Sequence, residues 1–135
     1  MFDPASFFFT TVRPWTMEYN FNGYPWISED FHKYNPMRLV GSWSTPTLVI
    51  MSGKDDGPVR QQALATFVAL QRKGIPSQLV TFPDEVSWSF ERPVNIVMWY
   101  NQVLGWLNEW LVVVAMQRLG MLSRPQSAVS RVTDD

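Results

Sequence analysis

Residues 47–51, Thr-Leu-Val-Ile-Met, form an uninterrupted apolar run rich in β-branched side chains, bounded by Pro46 and by Ser52-Gly53. Such a run has no polar face to turn to water, so as a strand it must be covered on both sides. Strands of that kind belong to parallel sheets, and a parallel neighbour requires a crossover of a dozen or more residues, usually a helix. The sequence supplies one directly. Asp55-Asp56-Gly57-Pro58 offers an Asp or Gly cap with proline near the first helical position. Val59, Ala63, Phe67 and Leu70 then repeat at spacings of four, four and three, and Gly74 followed by Pro76 ends the pattern.

Ser77–Phe82 (SQLVTF) reads as a second strand. After a loop at 83–93, a long helix is expected over about 94–118, with Ile96, Trp99, Tyr100, Val103, Leu107, Trp110, Leu111 and Val114 as its buried face. Strand, helix, strand, helix is a βαβα unit of the α/β class, with parallel strands at about 47–51 and 77–82. Chemistry in such a sheet sits in the loops past the carboxyl ends of the strands. Those loops are 52–57, carrying Asp55 and Asp56, and 83–92, carrying Asp84 and Glu85.

The flanks are less regular. Residues 1–45 hold many aromatics and turn formers (Asn22-Gly23, Tyr24-Pro25, Asn35-Pro36), which predicts an irregular segment with short helices at 15–21 and 28–34. Residues 46–118 are the regular α/β part. The polar end, 119–135, is expected to be disordered.

Composition narrows the chemistry. At 135 residues and 46% hydrophobic, the chain forms one domain at most and has enough apolar surface for a core. A net charge of −1 gives no footprint for nucleic acid or an anionic membrane surface. There is no cysteine and a single histidine, His32, which excludes a disulfide framework, a thiol nucleophile and any multi-histidine metal site; no cofactor is expected. The start, MFDPASFFFTTVRPW, lacks the layout of a signal peptide. The longest uninterrupted apolar stretch, 110–116, is far short of the roughly 20 residues that cross a bilayer. No compartment follows from these features.

Several separated strings, in order, resemble one family. TPTLVIMSGKDDGPV, LATFVALQRKGIPSQLVTFPDEVSW and VMWYNQVLGWLNEWL are similar to the C-terminal part of the catalytic domain of the prolyl oligopeptidase family, in its dipeptidyl-peptidase V and acylaminoacyl-peptidase-like branch. NFNGYPW and KYNPMRLV add to the likeness, which covers about residues 2–111. The resemblance implies a partial α/β-hydrolase fold, a Ser–Asp–His triad in that chain order, and hydrolysis of short peptides.

Carried over by position, the triad acid falls on Asp55. The histidine belongs to a Pro-Asp-Glu-Gly-His-Trp-like segment, which here reads Pro83-Asp84-Glu85-Val86-Ser87-Trp88, so Ser87 occupies its place. No Gly-x-Ser-x-Gly elbow occurs; Gly41-Ser42-Trp43-Ser44-Thr45 departs at the central and last positions. The first loop also departs, with Met51-Ser52 for the family's His-Gly. A serine hydroxyl attacks only when a base takes its proton, and the hydroxyl of Ser87 is no base near neutral pH. The expectation is a truncated, degenerate member of the family, inactive alone.

Each candidate has a plainer role beside the chemical one. Asp55 ahead of Gly-Pro is a ready helix cap, triad-acid position, or both. His32, among Glu29, Asp30 and Lys33, is expected on the surface without a catalytic role. Asp84 and Glu85 are expected to be solvated in a turn, and Trp99, Tyr100, Trp106 and Trp110 to pack as helix side chains. A strand at 47–51 without its outer neighbour leaves an edge that invites self-association or a partner chain, unless residues 2–12 fold back over it.

Overall fold

The computed structural model describes residues 1–55, 57–86 and 90–120. Asp56, Ser87 and the polar tail from 121 onward lie outside the described residues. The two expected strands are present as β1 (Thr47–Ser52) and β2 (Ser77–Phe82). They pair in parallel, from Thr47 opposite Ser77 to Ser52 opposite Phe82. Between them runs the crossover helix α4 (Gly57–Arg72).

Helix α4 ends as its sequence requires. Gly74 adopts φ +67°, the left-handed region that glycine enters without a Cβ penalty. Its N–H donates to the Gln71 carbonyl at 3.0 Å, and the Ile75 N–H donates to the Leu70 carbonyl at 3.0 Å. These are the two bonds of a Schellman cap. Ile75 and Leu70 also pack together with Val49, and Ala63, Phe67, Leu79 and Trp43 surround them. One turn of glycine chemistry thus fixes both the helix end and the entry of β2 into the core.

Residues 1–45 are more helical than their composition suggests. Expected helices at 15–21 and 28–34 lie at Pro14–Asn20 (α2) and Asp30–Lys33 (α3). Two further elements are α1 (Pro4–Thr10) and a 3₁₀ helix at Pro36–Ser42. Asp3 caps α1 by accepting from the Ala5 and Ser6 amides, with Pro4 at the first position. Helices this short hold only through packing. Phe8, Met17, Phe21 and Phe31 supply it in a second apolar cluster.

Gln62 ties this cluster to the α/β part. Its Oε1 accepts from the Phe2 and Asp3 amides at 2.8 and 2.6 Å, and its Nε2 donates to Ser6 Oγ at 2.9 Å. The N-terminal segment therefore seats on α4, and α1 packs against α4 and α2.

The last helix, α5 (Pro93–Arg118), has the expected bounds but not the expected cover. Of the predicted buried face, Ile96, Tyr100, Leu107 and Leu111 are exposed and Trp99, Val103 and Trp110 are half-buried, while the side chain of Val114 lies outside the described ones. Periodicity identifies an apolar face but not what covers it, and two strands give a 26-residue helix little to lie on. Gln102 Oε1 accepts from Gln78 Nε2 at 3.1 Å, which places α5 beside β2. No helix among the described residues is long and apolar enough to cross a membrane.

Candidate functional site at the strand exits

Both strands deliver their last residues to one end of the sheet, where the two loops are joined by their backbones. The Gly53 N–H donates to the Phe82 carbonyl at 2.8 Å, and the Lys54 N–H donates to the Glu85 carbonyl at 3.0 Å. Gly53 is needed for this approach. A Cβ there would stand 2.3 Å from the Pro83 carbonyl oxygen and 2.6 Å from its Cα. Asp55, two residues on, is 8% exposed.

Glu85 is the tightest point of the site. It is 1% exposed, among the most buried side chains of the molecule, which overturns the expectation of a solvated carboxylate. Its Oε2 accepts from the Glu91 N–H at 2.8 Å, and its Oε1 from the Arg92 N–H at 3.1 Å and from Asn95 Nδ2 at 2.6 Å. The two backbone donors lie just ahead of α5 and the third is a side chain of its first turn, so the carboxylate sits at the N-terminal end of the helix, where the dipole favours an anion. Asp84, its neighbour, is exposed and pairs with Arg92 at 2.8 Å. An exposed pair of this kind contributes at most about 1 kcal/mol. Two adjacent acids thus have opposite environments, and no local pattern separates them; the fold does.

The Asn95 amide, followed by the Glu91 N–H, stabilises the ionised carboxylate of Glu85 and holds it below the ordinary glutamate value of 4.5. A lowered value in the fold means that the stabilisation is complete above the ordinary value and is lost as pH falls through the lowered one. Urea midpoints measured from neutral pH down to about pH 3 should therefore drop through this range for the wild type. Glu85→Gln should start lower at neutral pH and change less over the same range. Parallel curves for the two proteins would show that Glu85 carries none of the acid sensitivity.

The other candidates separate. His32 is exposed on α3, and its ring is hydrogen-bonded to none of the described residues. Trp99 and Tyr100 pack edge to face at 5.0 Å, and Trp106 and Trp110 tilt together at 5.5 Å. Phe90, Ile96, Trp99 and Tyr100 line an apolar cavity of about 280 Å³ beside the 83–92 loop. At the opposite end of the strands, Ser42, Trp43, Ser44, Thr45, Thr47 and Thr66 line a hydroxyl-rich one of about 390 Å³.

Residues 1–113 match the model of the prolyl oligopeptidase family. Among curated proteins, the chain is 36% identical over 108 residues to dipeptidyl-peptidase 5 of Schizosaccharomyces pombe, covering 79% of this chain and 16% of that protein. It is 40% identical over 103 residues to a probable dipeptidyl-peptidase 5 of Aspergillus niger, covering 74% and 14%. With dipeptidyl-peptidase 5 of Trichophyton schoenleinii it shares 38% over 97 residues, covering 70% and 13%. The matched stretch is thus a small part of each relative's length.

Proposed function

This chain belongs to the prolyl oligopeptidase family, and from that premise we propose that it is a portion, from the C-terminal side, of the α/β-hydrolase domain of a serine peptidase acting on short peptides. In this reading Asp55 stands at the triad-acid position and Ser87 where the family's pattern has the imidazole. The observation that supports it most is the backbone junction of the two loops, Gly53 to Phe82 and Lys54 to Glu85. It brings the segment with Asp55 and the segment leading to 87 to the same end of the sheet, where an acid and a base would have to meet.

The chain by itself then lacks two of three reacting groups. Without an elbow serine there is no attacking oxygen in a strained, exposed turn. Without an imidazole at 87, no group of suitable pKa takes the proton. Purified chain incubated with a dipeptidyl chromogenic substrate should release no product above buffer; turnover proportional to chain concentration would refute the reading.

A second reading has its own observation. Exposed Ile96, Val97, Leu104, Leu107 and Leu111 give α5 an apolar surface whose only charges over 26 residues are Glu109 and Arg118. The Trp110 indole N–H is buried without a hydrogen-bond partner among the described residues. Each strand also has a single strand neighbour among them. Such surfaces suit a non-catalytic module that docks on another chain or a second copy. Size-exclusion chromatography with light scattering decides. This reading expects association that grows with concentration, and a clean monomer that unfolds cooperatively excludes it.

A further inference from the structure

We infer that an exposed apolar stripe along α5 is a self-association seam, on which a second copy of this chain lays its own α5. The inference rests on the docking reading of this helix and names the partner which that reading leaves open.

Val97, Tyr100, Leu104, Leu107 and Leu111 follow one another at spacings of three, four, three and four. Their mean of about 3.5 is the repeat of a two-helix seam, in which apolar side chains of one helix fill the holes of another. At about 100° per residue the five fall within one narrow stripe. All are exposed, between 44% and 64%. The stripe lies beside the face that carries half-buried Trp99, Val103, Trp106 and Trp110, so it is not the face that packs on the chain's own body. Held beside β2 through Gln102 and Gln78, α5 meets a partner already folded, and pairing orders little that was free.

The stripe's polarity selects the partner. Between 97 and 111 the only charged side chain is Glu109, which the same rotation puts on the far side of the helix. Two copies therefore bring no like charges together, and the stripe offers nothing to a charged partner. Its outer border is formed by Asn101 and Asn108, both exposed. An amide both donates and accepts, so these borders are complementary to their own counterparts. The stripes of two copies together offer on the order of 1,000 Å² of surface, about what a specific interface needs.

Sedimentation equilibrium of the whole chain over a wide concentration range reads the assembly. The mass should rise from that of one chain to a plateau at two. Leu104→Glu, at the centre of the stripe, should raise the dissociation constant by about tenfold or more, because pairing would carry its carboxylate into an apolar seam. Val68→Glu, at a similarly exposed position on α4, should leave the constant within about twofold of the wild type. Leu111→Glu decides the matter if Leu104→Glu loses its helical circular dichroism. Association that persists unchanged in both stripe variants, or a mass that climbs past two chains without a plateau, overturns the seam and leaves docking to the strand edge. A wild type that stays at one chain throughout and unfolds cooperatively overturns the docking reading, and the inference with it.

Discussion

Gly53→Ala is expected to leave this chain largely unfolded at room temperature. The added methyl would meet backbone on every near side: the Pro83 carbonyl oxygen at 2.3 Å, its Cα at 2.6 Å and its carbonyl carbon at 2.7 Å. None of these is a flexible side-chain tip that can swing away. Nor can the loops part cheaply, because the Gly53 and Lys54 amides are bonded across the junction to Phe82 and Glu85. Overpacking that forces a backbone shift costs about 1–3 kcal/mol or more. Typical domains have only about 5–15 kcal/mol in total, and a sheet of two strands sits at the weak end of that range. Gly57→Ala is the control. A Cβ there meets nothing within 4 Å in the first turn of α4, so its melting curve should match or slightly exceed the wild type. Circular dichroism melts of the three proteins check both outcomes, and a Gly53→Ala melt superimposable on the wild type would mean that the junction is not as close as described.

The second large effect concerns position 87, proposed to stand where the family's pattern has an imidazole. Residues 1–113 can be grafted in place of the matching stretch of the Schizosaccharomyces pombe relative, which spans 16% of that protein. The rest of the relative then supplies whatever lies outside the graft. As grafted, the chimera should hydrolyse dipeptidyl substrates at or near background. Ser87→His in the chimera should raise the rate by about a thousandfold or more, because loss of a triad imidazole costs at least that much in other serine hydrolases. The gain should appear in kcat, since the imidazole acts in the transition state and contributes little to holding substrate. Equal thermal unfolding of the two chimeras is the necessary control. If Ser87→His leaves the rate at background in a folded chimera, position 87 is not where the imidazole belongs.

The sequence announced the central unit because its signals are local. A both-faces-buried strand shows itself as an unbroken apolar run, and here proline and glycine mark its limits, so β1 was read to within one residue of its end at Ser52. The crossover helix carried a proline at its start and glycine at its end, and Gly74 in the left-handed region explains why that residue stops it. Helix α1 was missed although Asp3-Pro4 is a cap-and-first-turn signal, because three consecutive phenylalanines obscure any helical period. Glu85 was illegible for another reason. Its burial comes from amides six, seven and ten residues away that a later helix presents. The cover of α5 was also beyond local reading, since a stripe states a need for packing without stating that the need is met. The resemblance assigned Asp55 to the triad-acid position, and the geometry gives Asp55 a buried setting at the shared strand exits.

The account stands on the claim that this polypeptide holds the acid end of a hydrolase site without a serine that can be activated. Treating the purified chain with a fluorophosphonate probe and weighing it intact by mass spectrometry tests that claim most directly. The account predicts an unchanged mass after prolonged exposure near neutral pH, while an active peptidase of the family labels fully alongside it. Stoichiometric addition of one phosphonyl group to a single serine of this chain, abolished by Asp55→Asn, would contradict it.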